Sequence, residues 1–318
     1  MRMLVLGAGA LGGYFGGRAM QRGLDVAFLV RPARAAALAR DGLRIRSTFG
    51  DFATPVATLA RATPGFDVVL LSCKAYDLDA AIEAIRPAVE GGACVLPVLN
   101  GLSHIDRLNA AFGADRVWGG LAKCAATLRP DGTVQHLNDW HWLTFGEQGG
   151  GEQGGGEQGG AMDGRAAAFA AALGDAPGLV AQAVPDIRRR MWEKLVHLGT
   201  VAAGTVLMRA SVGEIIRAGG RGFLLSLLER NAAIAAAQGF PMSPLFMESY
   251  RAMFSDAASA YTASMLRDLE AGGRTEAEHI LGFLTDAARA AGVPEDLHAQ
   301  ALLHARAHDQ RREAKRLP

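Results

Sequence analysis

The residues best able to move a proton in this chain are its lysines, and they are few. Of 33 basic residues only Lys74, Lys123, Lys194 and Lys315 are lysine; the rest are arginine. Arginine stays charged at any working pH, whereas a buried ammonium can shift its pKa and release a proton. Each lysine in an interior-looking segment is therefore a candidate for proton chemistry. Lys194 heads the apolar stretch RRRMWEKLVHLGTVAAGTVLM, which reads as a helix over residues 188–208. Partial burial there would bring its pKa towards neutrality and suit it to protonate a carbonyl oxygen that gains negative charge. The alternative is a surface lysine at a helix start. Lys123 sits in a strand-like segment and takes no assignment. Three histidines, His298, His304 and His308, fall on a helix expected over residues 294–315. The last two have the i, i+4 spacing of a metal pair, but no third ligand accompanies them, so they read as a polar helix face and no metal is expected.

These residues need elements to position them. The opening MRMLVLGAGALGGYFGGRAMQRGLDVAFLVR reads as strand, glycine turn, helix, strand. Gly7, Ala8, Gly9, Ala10, Leu11 and Gly12 form the G-x-G-x-x-G turn of a dinucleotide site. Its first glycine allows the tight turn, the second admits a pyrophosphate and the third lets the helix pack on the sheet. Free N–H groups at the helix start then face the phosphates. Strand two, residues 25–30, ends in Val30, Arg31 and Pro32 with Arg34 close by, and carries no acidic residue for a ribose 2′-hydroxyl. A guanidinium at that place matches a 2′-phosphate, so Arg31 points to NADP rather than NAD. A third apolar run, residues 67–72, ends in CKAYD and leaves Lys74 just past the strand, at the edge where open parallel sheets bind ligands. A fourth, residues 93–99, places Asn100 and Gly101 at a similar edge. Two late strands, RVWGGLAKCAATL and VQHLNDWHWLTFGE, flank the polar turn RPDGT. The glycine-rich repeat at residues 146–160 reads as a flexible surface loop between a strand at 142–145 and a helix at 165–173. From Pro185 onward strand signals stop, and helices are expected over 188–208, 222–238, 248–271, 275–291 and 294–315. The division expected is 1–184 for a nucleotide-binding domain and 185–318 for a helical domain.

Composition narrows the class. Half the residues are hydrophobic, a fifth are charged, and the net charge is +1, so nothing favours a nucleic-acid or anionic-membrane partner. Cys73, Cys94 and Cys124 lie in apolar contexts without metal-ligand spacing, as reduced cysteines of a cytoplasmic protein do. No secretory leader or membrane span is expected.

Taken in order, GAGALG, SCKAYD, LNGL, WEKL and above all SMLRDLEAGGRTEAEHILG resemble the ketopantoate reductase (2-dehydropantoate 2-reductase) family over nearly the whole chain. The resemblance implies an α/β fold, with an N-terminal Rossmann-type doubly wound sheet followed by an all-helical C-terminal domain of the 6-phosphogluconate-dehydrogenase-like type. It further implies NADPH-dependent reduction of a 2-keto acid, 2-dehydropantoate to pantoate in the pantothenate pathway. By the same resemblance Lys194 is the general acid and Glu276 holds the substrate hydroxyl. Ser264 and Asn100 contact substrate or nicotinamide, and Lys74 lies at the junction of cofactor and substrate. The partner expected is a small-molecule 2-keto acid, with a homodimer left open.

One departure qualifies this. Leu198 and Ala202 share a helical stripe with Lys194, where the family pattern usually has asparagine. His197, three residues on from the lysine, is the nearest polar replacement. The departure favours a less polar or differently oriented 2-keto acid. Two other readings stay open: reduction of an imine or sugar acid on the same fold, and an NADPH-binding sensor without turnover.

Overall fold

The computed structural model describes residues 1–149 and 164–317. They form two compact units, one of residues 1–99 with 104–188 and one of residues 100–103 with 189–317.

The first unit is built on a five-stranded parallel sheet. β1 (Arg2–Leu6) lies at its centre. β2 (Asp25–Leu29) and β5 (Ala57–Leu59) lie on one side, β6 (Val68–Leu71) and β7 (Cys94–Pro97) on the other. Leu4 pairs with Ala27 in β2 and with Val69 in β6. Successive side chains of a strand point to opposite faces, and here both faces are covered. Met3, Val5, Val68 and Leu70 enter one core cluster, and Leu4, Val69 and Leu71 enter the other. Burial on both faces is why β6 reads as an unbroken apolar run rather than an alternating one. Helices α1 (Ala10–Gln21), α2 (Pro32–Asp41), α3 (Leu78–Glu90) and α4 (Ser103–Phe112) form the connections. Strand order reverses at β1, so the crevice for a ligand falls beyond its carboxyl end.

A second sheet follows the order β10 (Asp175–Ala176), β11 (Leu179–Ala183), β9 (Val134–Glu147), β3 (Leu43–Arg46), β4 (Phe52–Thr54). β8 (Trp118–Leu128) runs antiparallel beside β9. The expected polar turn closes the β8–β9 hairpin, with Arg129 N–H donating to Thr133 O at 2.9 Å. The expected strand at 142–145 is only the end of β9, which also takes in Gly146 and Glu147. The rest of the expected glycine loop, from residue 150, lies outside the described residues. Helix α5 (Arg165–Leu173) covers this sheet through Phe169, whose ring meets Phe145 at 5.5 Å and Trp118 at 6.0 Å.

Beyond β11 the described residues are helical. α6 (Ile187–Met208) is followed by α7 (Val212–Arg217), α8 (Arg221–Ala237), α9 (Pro244–Met253) and α10 (Ser264–Glu270). A π turn (Glu278–Gly282), α11 (Phe283–Ala290) and α12 (Asp296–Glu313) complete the unit. The helix expected over 248–271 is corrected to two, α9 and α10, with residues 254–263 between them. The start of α7 explains the break. The first amides of a helix lack intrahelical acceptors, and here Val212 N–H takes Tyr261 O at 3.0 Å while Gly213 N–H takes Ser259 O at 2.9 Å. Those carbonyls are thereby drawn out of any continuous helix. α7 itself, missed by periodicity, carries a capping box between Ser211 and Glu214. No helix among the described residues is long and apolar enough to cross a membrane.

A buried polar chain fixes α6 among its neighbours. Thr200 and Thr205 are fully buried, and their hydroxyls donate to the carbonyls four residues back at 2.8 and 2.7 Å. Asn231 of α8 donates to Thr200 Oγ1 at 3.0 Å, and its Oδ1 accepts from His298 Nε2 of α12 at 2.8 Å. His298 is 0% exposed and His308 9%, which corrects the reading of these histidines as a polar helix face. His308 instead bonds Gly273 O at 3.1 Å. Burial pushes His298 down to about 4, so the folded protein keeps it neutral. Between pH 6.5 and 4 the unfolded chain binds the additional proton, and stability falls as pH drops through that window. In urea titrations the stability advantage of wild type over His298→Gln should shrink by roughly 2–3 kcal/mol between pH 7 and pH 4. An advantage constant with pH would contradict this.

Candidate active site

The glycine turn after β1 has the shape its sequence implies. Gly7 adopts φ +91°, a left-handed conformation that favours glycine, and its N–H donates to Leu29 O at 3.0 Å. A Cβ on Gly12 would lie 2.1 Å from Gly7 O and 2.3 Å from Ser72 Oγ, so only glycine lets α1 approach the turn this closely. Ser72 holds the other side, its hydroxyl donating to Leu6 O at 3.0 Å. At Gly9 an added Cβ would meet nothing within 4 Å, which leaves open space beside the backbone where a pyrophosphate has to approach. Ala8 is buried, and Ala10 and Leu11 are half-buried at the start of α1. The turn fits a dinucleotide.

The two arginines after β2 part company. Arg34 is tied down, its Nε donating to Ala8 O at 3.0 Å and its terminal nitrogen to Gly132 O at 3.2 Å. It braces the glycine turn, a role that sequence spacing did not suggest. Arg31 precedes α2 with a side chain 82% exposed, and it pairs with Asp77 Oδ2 at 3.1 Å. Asp77 belongs to the short turn Ala75–Asp77 after β6. The expectation that no carboxylate attends Arg31 is therefore corrected. β2 and β6 flank β1, so the fold brings to Arg31 an acid far away in sequence. Lys74, exposed, opens the same turn just past β6. The glycine turn, Arg31 and Lys74 thus share one edge of the sheet. Lys123 lies elsewhere, its ammonium 5.2 and 5.3 Å from the ring centres of Trp140 and Trp142.

Four other predicted residues belong to the helical unit. Lys194 rides on the first half of α6, where Trp192, Leu195 and Val196 are buried and Trp192 stacks on Phe240 with ring centres 6.1 Å apart. Asn100 lies in the short segment after β7 that packs with this unit. Gly101 adopts φ +85°, and a Cβ there would be 3.1 Å from His279 O. Ser103 Oγ and His279 Nδ1 are 2.6 Å apart. That close approach brings Asn100 to the π turn, whose first amides bond back to Glu276 O, from Ile280 at 3.2 Å and from His279 at 3.1 Å. A π turn is uncommon and is frequently found at functional sites. Glu276 is half-buried and held from both sides by α12. Asp309 accepts from Thr275 N–H at 3.2 Å and from Thr275 Oγ1 at 2.8 Å, while Arg306 grips Glu278 bidentately at 2.5 and 2.8 Å. Asp309, Arg306, Ser103 and His279 escaped the sequence reading because each acts through a partner distant along the chain. Ser264 is exposed at the start of α10. Among the described residues no group of His, Cys, Asp and Glu could hold a metal ion.

The model of the family described as "Ketopantoate reductase PanE/ApbA" matches residues 3–150, and that of its C-terminal domain matches residues 186–307. The chain belongs to the ketopantoate reductase family. It is an oxidoreductase by that membership. An uncharacterized oxidoreductase, YkpB of Bacillus subtilis, is 34% identical over 94% of this chain and 97% of its own. The 2-dehydropantoate 2-reductase of Halobacterium salinarum is 31% identical over 91% of this chain and 92% of its own. Among solved structures, 2-dehydropantoate 2-reductase from Methylococcus capsulatus superposes with a TM-score of 0.83 at 26% identity, covering 98% of both chains.

Within this family member the electrostatics single out Lys194. The residue as a whole is half-buried, but its ammonium lies deep enough that burial pulls it down to about 8. A group that must deliver a proton works only while protonated, so kcat should hold below pH 8 and fall as pH rises through it. A pH–rate profile flat from pH 7 to 9.5 would refute that assignment. Removing the brace behind Glu276 provides a separate check. Asp309→Ala leaves Thr275 N–H and Oγ1–H without their acceptor, a loss of about 1–3 kcal/mol. It should lower kcat/KM about tenfold while dinucleotide affinity, read by fluorescence titration, stays unchanged.

Proposed function

We propose that this protein reduces a 2-keto acid to the 2-hydroxy acid with NADPH, on the pattern of 2-dehydropantoate reduction to pantoate. The observation that carries the reading is the depressed ammonium of Lys194 on α6, in a chain of this family. When bound, the cofactor supplies the hydride that attacks the keto carbon. Lys194 stabilises the negative charge that builds on the carbonyl oxygen and passes it a proton, so the C=O group becomes CH–OH. Glu276 accepts a hydrogen bond from the substrate. Asn100 and Ser264 contact substrate or nicotinamide. Lys74, just past β6, offers a cation to the carboxylate where cofactor and substrate meet.

The choice of NADPH is supported by Arg31. Its guanidinium is exposed beyond β2, where a 2′-phosphate would stand, and its pairing with Asp77 is a surface ion pair that a dianionic phosphate outcompetes. The turn from Gly7 through Ala8, Gly9, Ala10 and Leu11 to Gly12 holds the pyrophosphate.

The test is NADPH consumption with ketopantoate and a panel of other 2-keto acids. Lys194→Ala and Lys194→Arg should each lose at least about a hundredfold in kcat and keep their affinity for NADPH, because arginine can hold the charge but not deliver the proton. Arg31→Ala should raise KM for NADPH about tenfold or more and leave KM for NADH unchanged. Full activity in Lys194→Arg would exclude lysine as the acid.

A further inference from the structure

This inference rests on the 2-keto acid reading and concerns what lies beyond the keto carbon. The flank of α6 next to Lys194 is apolar and aromatic. Residues three and four on from Lys194 are its neighbours on the helix surface, with Cβ atoms about 5–6 Å apart. They are His197 and Leu198, both half-buried, followed one turn later by the fully buried Ala202. The His197 ring stacks on Tyr250 with centres 4.8 Å apart and planes at 27°, and on Tyr261 at 5.6 Å and 15°. Phe254, fully buried, closes the group from behind at 6.3 Å.

The polar atoms in this group answer one another. Tyr261 OH and His197 Nε2 are 2.9 Å apart. Burial pushes the Tyr261 hydroxyl up to about 12, so it stays protonated beside the His197 ring. Tyr261 also stands three residues before Ser264, in the segment pinned by Val212 N–H to Tyr261 O at 3.0 Å and by Ala263 N–H to Thr205 Oγ1 at 3.4 Å. The aromatic group is thus fixed between the acid-bearing helix and the serine that begins α10. His197, which carries this group, and Leu198 are the residues next to Lys194 on the surface of α6, at i+3 and i+4.

We infer that the side chain of the natural 2-keto acid is apolar and lacks the terminal hydroxyl of ketopantoate, and that Leu198 and the His197–Tyr261–Tyr250 aromatic group select it. Ring faces and the Leu198 methyls offer a hydroxyl no hydrogen bond, so one pressed against such a wall gives up its water without a replacement partner. An apolar pocket typically discriminates by factors of about ten to two hundred. His197, Leu198 and Tyr261 are specificity-determining residues, and the proton transfer remains with Lys194.

The sharpest probe is a pair of substrates that differ by one oxygen. Trimethylpyruvate has the carbon skeleton of ketopantoate without its hydroxyl, and phenylpyruvate extends the apolar side chain. With NADPH, wild type should show kcat/KM at least about tenfold higher for trimethylpyruvate than for ketopantoate, with phenylpyruvate also turned over. Ketopantoate used equally well or better would overturn the inference and leave the reductase reading standing. No turnover of any 2-keto acid, with NADPH bound by fluorescence, would bring down both. Leu198→Asn and Tyr261→Asn, checked for folding by thermal melts, should each move the ratio towards ketopantoate about tenfold. Folded variants with an unchanged ratio would overturn the role given to the wall, and the wild-type comparison stands whether or not they fold.

Discussion

The structure turns on keeping one ammonium in an apolar place. Desolvation disfavours the charged form of a lysine, and burial pulls Lys194 of α6 down to about 8. A helix that carries such a burden must be held by more than its own backbone bonds. The Thr200–Asn231–His298 chain does this from the far side, joining α6 to α8 and α12 through fully buried hydrogen bonds. In a low-dielectric interior a satisfied polar chain is strong and directional, whereas the same atoms left unpaired would be costly.

α12 takes a second part. The Glu276 segment lies just before the π turn, whose first amides bond back to Glu276 O. Asp309 and Arg306, one helical turn apart on α12, hold the residues on either side of it. The approach of Gly101 to His279 then sets Asn100 against the same turn. Gly101 permits that contact, and Ser103 and His279 close it with a short hydrogen bond.

On the nucleotide-binding unit the same economy appears in the arginines. Both follow β2, yet Arg34 is spent on the Ala8 carbonyl and Arg31 stays exposed. A backbone carbonyl in the turn needs a donor, and Arg34 is placed to supply it. Asp77 pairs with Arg31 from the turn after β6, the strand on the opposite side of β1.

Much of this was legible in the amino-acid sequence. The parallel sheet follows from apolar runs buried on two faces, and the glycine turn from its spacing. The change to helices after residue 185 follows from the change of period, and Lys194 stands out as a lysine in a chain that otherwise prefers arginine. These are local signals, written in residues near one another along the chain. The break between α9 and α10, the burial of His298 and His308, the Arg31–Asp77 pair, the α12 brace on Glu276 and the His197–Tyr261 contact were not legible. Each depends on a partner 23 or more residues away, and neither residue alone carries a sign of the other. Sequence by itself determined the architecture and singled out Lys194, because periodicity and side-chain chemistry are properties of short segments. Tertiary structure alone decided which arginine stays exposed, what holds the residues beside Glu276, and which rings pack against His197. Those depend on which groups lose water together, and only the folded chain settles that.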